Sequence, residues 1–205
     1  MNYYIDFDNT LYETAKLTSK MLTNVANVIS LKTGKEYESI FEYVKNNFDS
    51  TNDNIFTYGK KLAEKYDVDG DDINDAINNA INNGRDFIFP DARLFLIKLK
   101  ELGHKVYILT YLPKTNQEYQ MQKIKGSGIA SFFDGIIMTT DYKFNLDINY
   151  EKGIFIDDDP RDLKKKKKKN PIRVIRIRKE NNKRSKIDIN NPLIEEYRDF
   201  GDIEI

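Results

Sequence analysis

Apolar residues along the chain follow two kinds of pattern, and the two occupy different stretches. Four short unbroken runs each end in a polar or acidic residue: Tyr3-Tyr4-Ile5 before Asp6, Val106 to Leu109 before Thr110, Ile136-Ile137-Met138 before Thr139, and Ile154-Phe155-Ile156 before Asp157. Runs so short and so continuously apolar predict parallel strands buried on both faces. A fifth stretch, residues 172–177, alternates Ile172, Val174 and Ile175 imperfectly with arginines, as an edge or near-edge strand does. Helical patterns separate them. Pro90-Asp91 opens one helix, Leu94, Phe95, Ile97, Leu99 and Leu102 supply its buried side, and Gly103 closes it. Another spans about residues 114–125 and stops at Gly126-Ser127-Gly128. This alternation predicts an α/β fold with a doubly wound parallel sheet, whose ligands sit at the carboxyl ends of the strands. The polar residues that close the runs all fall at such ends.

Residues 13–88 break the alternation. Leu17, Met21, Val25 and Val28 keep helical spacing, and further helices are predicted over 39–48, 55–66 and 71–83. The domain reading is therefore a core of residues 1–12 and 89–205 with a helical subdomain, residues 13–88, inserted into it.

Composition narrows the chemistry. The 205 residues contain no cysteine and one histidine, which removes disulfides, thiolate nucleophiles, Cys-ligated zinc and most His-based schemes. No window approaches the ~20 consecutive apolar residues that cross a bilayer, and no basic leader precedes the first run, so the expected location is cytoplasmic. Charge balances overall, 33 basic against 33 acidic residues, but residues 161–186 hold 14 Lys/Arg against 2 Asp/Glu. The lysine tract 164–169 reads first as a solvated surface. Joined to Arg173, Arg176, Arg178, Lys179, Lys183, Arg184 and Lys186, it reads alternatively as a patch for nucleic acid or other polyanions.

Asp6 and Asp8 close the first run at i and i+2, where both can enter one cleft. One carboxylate can attack a phosphoryl group and form an acyl-phosphate, while the other moves a proton. An anionic nucleophile meeting an anionic monoester needs positive charge, which Mg²⁺ on oxygen ligands supplies. The acidic stretch Asp157-Asp158-Asp159-Pro160-Arg161-Asp162 stands where such a metal site is wanted. Thr110 offers a hydroxyl to a phosphoryl oxygen and Lys143 a compact positive charge. Lys152 is the alternative lysine, but it sits at a strand entrance, the wrong end of the sheet.

This set resembles the haloacid dehalogenase (HAD) superfamily. Asp6-x-Asp8-x-Thr10-Leu11 is similar to its first motif, Val106 to Thr110 to its second, Lys143 to its third, and Ile154-Phe155-Ile156-Asp157-Asp158 to its fourth. The helical insert is similar to the C1 cap that closes over the active site and sets substrate choice. The resemblance implies Asp6 as nucleophile and Mg²⁺ ligand, the main-chain carbonyl of Asp8 as a further ligand with its side chain as acid/base, and Thr10 shaping the turn behind the nucleophile. Metal binding falls first to Asp157 and Asp158, with Asp162 third. Dehalogenating members lack an aspartate at the position of Asp8, so the resemblance implies phosphatase or phosphomutase chemistry. The short third connection is similar to the 5'(3')-deoxyribonucleotidase branch.

The expected function is a Mg²⁺-dependent phosphatase for a small phosphorylated metabolite or nucleotide, acting through an aspartyl-phosphate. The alternatives are a nucleotidase or nucleic-acid end phosphatase using residues 161–186, and a silent phosphate- or polyanion-binding family member. A nucleic-acid partner is not favoured, and no membrane partner is expected. His104 is read as remote from the chemistry, the tyrosines of the insert as packing, and Tyr12, in the core beside the nucleophile turn, as an exception to that packing reading.

Overall fold

In a computed structural model of the chain, the described residues are 1–49, 54–112, 116–146, 153–163, 173–180 and 182–205. The five expected stretches become parallel strands and a sixth joins them: β1 (Asn2–Ile5), β2 (Lys105–Tyr111), β3 (Gly135–Thr139), β4 (Gly153–Asp157), β5 (Arg173–Ile177) and β6 (Glu195–Tyr197), in the order β3-β2-β1-β4-β5-β6. β1 and β4 lie inside, and every residue of β4 is buried. Successive side chains serve opposite faces of the sheet. Tyr3 meets Phe95 edge-on, centroids 6.1 Å apart, while Tyr4 joins Leu109, Phe155, Leu163, Val174 and Ile194 on the other side.

Register places the chemistry. Ile5 pairs with Ile108 on one side and Ile156 on the other, so Asp6 and Asp157 emerge side by side where β1 and β4 end. Asp6 continues the ladder by one bond, its N–H donating to Ile156 O at 2.9 Å.

The chain divides into two compact units, one of Met1–Thr14 with Arg85–Ile205 and one of Ala15–Gly84. The second contains nearly all of α1 (Thr14–Thr33) together with α2 (Tyr37–Asn46), α3 (Ile55–Tyr66) and α4 (Gly70–Asn82). Side chains cap two of these helices: Asn54 accepts from Phe56 N, and Asp69 from Asp71 N. Gly59 lets α3 and α4 approach closely, since a Cβ there would stand 3.0 Å from the Ile73 side chain and 3.1 Å from Ile77. The Asn24 amide, on α1, donates to Ala76 O on α4 at 3.1 Å.

In the sheet unit, α5 (Pro90–Glu101) starts with proline at its first turn and gives way to Gly103 at φ +72°. Its buried residues are Ala92, Phe95, Leu96 and Leu99. Leu94, expected on that side, is exposed because the helical period places it on the opposite face, and Leu102, expected there too, is exposed just past the helix end. The next helix, α6 (Gln117–Gly126), begins later than expected, residues 113–115 lying outside the described ones. A short α7 (Pro160–Leu163) follows β4.

Two features of β5 and β6 escape hydrophobic patterning. β6 has no apolar run, and it is bound to β5 by charge: Arg173 pairs with Glu195 at 2.6 Å, and Arg176 and Arg178 each pair with Glu196 at 2.8 Å. β5 is thereby second from the edge, and Arg176, read from sequence as part of a basic surface, is fully buried. Among the described residues, no helix is long and apolar enough to cross a membrane. The lysine tract and Lys152 lie outside the described residues.

Asp134 braces the entry to β2 and β3. Its Oδ2 accepts from Val106 N at 2.9 Å and Lys100 at 3.1 Å, and its Oδ1 from Lys105 at 3.1 Å. These bonds, the backbone one foremost, hold its carboxyl below the usual carboxylate range. Stabilisation from a depressed pKa is complete above the unfolded value of about 3.9 and fades as the pH falls toward the folded one. Asp134→Asn is expected to cost about 1–2 kcal/mol at pH 7, with the gap to the native chain closing in acid. Urea unfolding at neutral and acidic pH tests this, and an equal gap at both would refute it.

Candidate active site

At the end of β1 the chain turns sharply. Leu11 and Tyr12 both donate their N–H to Phe7 O at 3.0 Å, and Asn9 takes the left-handed conformation at φ 62°, which asparagine tolerates better than most residues. The turn separates the two carboxylates. Asp6, 5% exposed, faces the β4 side, and Asp8 is held from α6.

Lys143 comes from the short 3₁₀ turn Lys143–Asn145 after β3 and is 2% exposed. Its Nζ donates to Asp6 Oδ1 at 2.5 Å and Asp157 Oδ2 at 2.8 Å. Burial opposes the ammonium charge, but Asp157 and Asp6 outweigh it and raise its pKa above the ordinary lysine value. Burial in turn lifts Asp6 well above the usual carboxylate range, with Lys143 opposing and Asp157 and Asp158 adding to the rise. Asp158 is pushed up to about 7 by burial and then by the Asp157 charge. Thr10 Oγ1 lies 3.4 Å from Asp6 Oδ2 and 3.3 Å from Asp158 Oδ1, so its single proton serves one or the other.

Asp8 is satisfied on both oxygens. Oδ1 accepts from Thr14 Oγ1 at 2.6 Å and Lys123 Nζ at 2.5 Å, and Oδ2 from Gln120 Nε2 at 2.8 Å. Burial alone would raise its pKa, but the Lys123 charge and these bonds hold it low. Sequence reasoning missed Gln120 and Lys123. Their spacing of three on one helical face was visible, but a buried lysine beside Ile124 looks in sequence like any amphipathic helix.

A cavity of about 550 Å³ opens over this region, and Asp6, Asp8, Thr110, Lys143, Asp157 and Asp158 all line it. The expected residues thus converge wherever their side chains are described; that of Asp162 is not. Residues not anticipated as part of the site complete its rim: Tyr111 and Tyr142, 53% and 44% exposed, with Arg161 and Arg184. Arg161 and Arg184 both pair with Asp159 at 2.7 Å. Tyr12 is instead fully buried, stacked on Phe7 at 4.9 Å, and the substrate contact expected of it is ruled out by packing. His104 precedes β2, at the opposite end of the strands.

The donor set suits a hard divalent cation. Asp6, Asp157 and Asp158 each offer an oxygen within 4.8 Å of the others, all are buried, and no sulfur or imidazole is among them. Burial first, and then the neighbouring carboxylates, raise Asp6 and Asp158, so a cation placed among these oxygens would favour their ionised forms.

Comparison with known proteins gives a consistent picture. The model of the haloacid dehalogenase-like hydrolases matches residues 3–165. No curated protein sequence matches the chain closely enough to count as a relative. Among solved structures, a HAD phosphatase from Thermococcus onnurineus aligns at 18% identity over 98% of this chain and 94% of its own, with a TM-score of 0.56. A 2-haloacid dehalogenase from Pseudomonas syringae aligns at 13% identity over 98% and 94%, TM-score 0.58. A magnesium-bound structure described as the HAD-hydrolase YfnB of Bacillus subtilis aligns at 14% identity over 98% and 95%, TM-score 0.57. At such identities the likeness is one of fold, and it spans both phosphatase and dehalogenase.

Lys143→Met would leave Asp6 and Asp157 buried without their cation. It is expected to cost about 3–5 kcal/mol in urea unfolding at pH 7, with part of the loss recovered on adding Mg²⁺. A loss below about 1 kcal/mol would mean that the ammonium is not what makes this cluster tolerable.

Proposed function

Because the chain belongs to the haloacid dehalogenase-like hydrolases, we propose that it is a Mg²⁺-dependent phosphatase that cleaves a small phosphate monoester through an aspartyl-phosphate on Asp6. The observation that supports this most is the convergence in one cavity of Asp6, Asp8, Thr110 and Lys143 with the Asp6-Asp157-Asp158 cluster. Asp8 favours this chemistry over dehalogenation, by the family resemblance of the first motif.

Each residue then has a defined task. A carboxylate oxygen of Asp6 forms a bond to phosphorus as the bond to the leaving oxygen breaks, and Asp8 gives that oxygen its proton. In the second step Asp8 takes a proton from water, the water oxygen bonds to phosphorus, and Asp6 is released with inorganic phosphate. Lys123, Gln120 and Thr14 favour the ionised Asp8 that the second step needs. Thr110 and Lys143 hold the phosphoryl oxygens. Asp6, Asp157, Asp158 and the Asp8 carbonyl would bind Mg²⁺, which supplies the positive charge that lets an anionic nucleophile approach an anionic ester. Residues 15–84 stand in the chain where a C1 cap stands, between the first and second motifs, and on this reading they select the substrate.

A nucleotide substrate is the second reading, favoured by the exposed Tyr111 and Tyr142 rings on the cavity rim, which offer stacking surfaces for a base. The polyanion-patch reading draws less support. Among the described residues, Arg173, Arg176, Arg178, Lys179 and Arg184 are already paired with acidic side chains.

Phosphate release from 4-nitrophenyl phosphate is expected with Mg²⁺ and not after chelation. Asp6→Asn should abolish it in a folded protein, and substantial metal-dependent turnover in that variant would refute the nucleophile assignment. Asp8→Asn should slow turnover by about 10²–10⁴-fold; an unchanged rate would remove its proton-transfer role. A panel of mononucleotides, end-phosphorylated oligonucleotides and sugar phosphates separates the two substrate readings by relative kcat/KM.

A further inference from the structure

The 3₁₀ turn Lys183–Lys186 is tied to the end of β4 by contacts that the catalytic scheme leaves unexplained. Asn182, at the head of the turn, uses both ends of its side-chain amide. Oδ1 accepts from Arg184 N at 2.9 Å and caps the turn, while Nδ2 donates to Asp158 Oδ2 at 2.5 Å. Beneath them lies the guanidinium of Arg176, fully buried. Its Nη2 donates to Arg184 O at 2.7 Å, its Nη1 to Ile187 O at 2.6 Å and Glu196 Oε1 at 2.8 Å, and its Nε lies 3.4 Å from Asp158 O. One buried cation therefore binds the backbone of Asp158 to both ends of the turn that presents Asn182. Cross-strand pairing with Glu196 accounts for only one of these contacts.

We infer that Asn182 is a positioning residue for the metal-binding carboxylate of Asp158, and that Arg176 fixes the turn that delivers it. A carboxylate at the end of a strand can rotate about its last torsion. The amide bond to Oδ2 stops that rotation and leaves Oδ1 on the side of Thr10, whose hydroxyl also reaches Asp6. Thr10 cannot do this alone, because its one proton is shared between two carboxylates. Partners of this kind, which orient a ligand without touching the ion, typically hold about 10–100-fold in affinity. The inference rests on the metal site proposed above, and it assigns to the basic segment a role inside the active site.

The test is Mn²⁺ binding, followed by electron paramagnetic resonance in the absence of substrate. Asn182→Ser is the informative variant: serine caps a helical turn about as well as asparagine but is too short to reach Asp158. The expected result is Mn²⁺ affinity lowered about 10–100-fold in Asn182→Ser and Asn182→Ala, with Asn182→Ser still folding cooperatively in the absence of metal. Native affinity in Asn182→Ser would overturn the inference and leave Asn182 as a cap only. Should the unaltered chain take up no more Mn²⁺ than an Asp158→Asn control, the metal site itself fails, and the role of Asn182 falls with it.

Discussion

The ammonium of Lys143 sits between Asp6 and Asp157, and the site depends on that contact. Pairing of Ile5 with Ile156 sets two carboxylates side by side at the buried ends of neighbouring strands, an arrangement that repulsion in a low-dielectric setting would otherwise forbid. In the sheet, β3 is separated from β4 by β2 and β1, so the segment that follows β3 must reach across their carboxyl ends to bring a lysine there. Burial makes the solution conditional: removing the lysine leaves a pair of desolvated carboxyls, and even with it in place burial keeps Asp6 and Asp158 reluctant to ionise. A site of this kind is primed for further positive charge, which is the physical basis for assigning it a divalent cation.

A second layer of charge holds the first. The arginines of β5 and its following turn face inward or along the sheet, where Glu195, Glu196, Asp158 and Asp159 await them. β6, short and polar, is held by its backbone ladder with β5 and by the pairs of Glu195 and Glu196 with the arginines. One of them, Arg176, also ties the loop after β4 to the turn at Asn182. Among the described residues, the arginines of the basic segment thus serve the fold, and a surplus of basic residues in a sequence is not by itself a binding surface.

Fold and chemistry are separable in this family. The same architecture is found in a phosphatase and in a dehalogenase, so the choice of reaction resides in particular side chains. On the function proposed above, Asp8 is the discriminating one, and Lys123 and Gln120 of α6 hold its carboxylate. That helix does for the proton-transfer group what the Asn182 turn does for the metal-binding one: each takes up carboxylate oxygens that would otherwise move.

Much of this was legible in the chain. The continuous apolar runs announce parallel strands because only a doubly covered sheet demands apolar side chains on both faces, and the polar residues ending those runs mark the functional edge because that edge is where such strands stop. Asp6, Asp8, Thr110, Lys143, Asp157 and Asp158 are identified on these grounds and by their resemblance to family motifs. Hidden from view were Gln120, Lys123, Arg176 and Asn182, together with β6 and the burial of Tyr12. The site residues among them depend on partners far away in sequence: Asp8 lies 112 residues from Gln120 and 115 from Lys123, and Asp158 is 24 residues from Asn182. Hydrophobic burial leaves a periodic record because it acts on faces of local elements. A charge or amide that meets its counterpart across the fold leaves none, so the sequence by itself determined the sheet and its reactive edge, and only the tertiary structure decided which polar groups hold that edge in place.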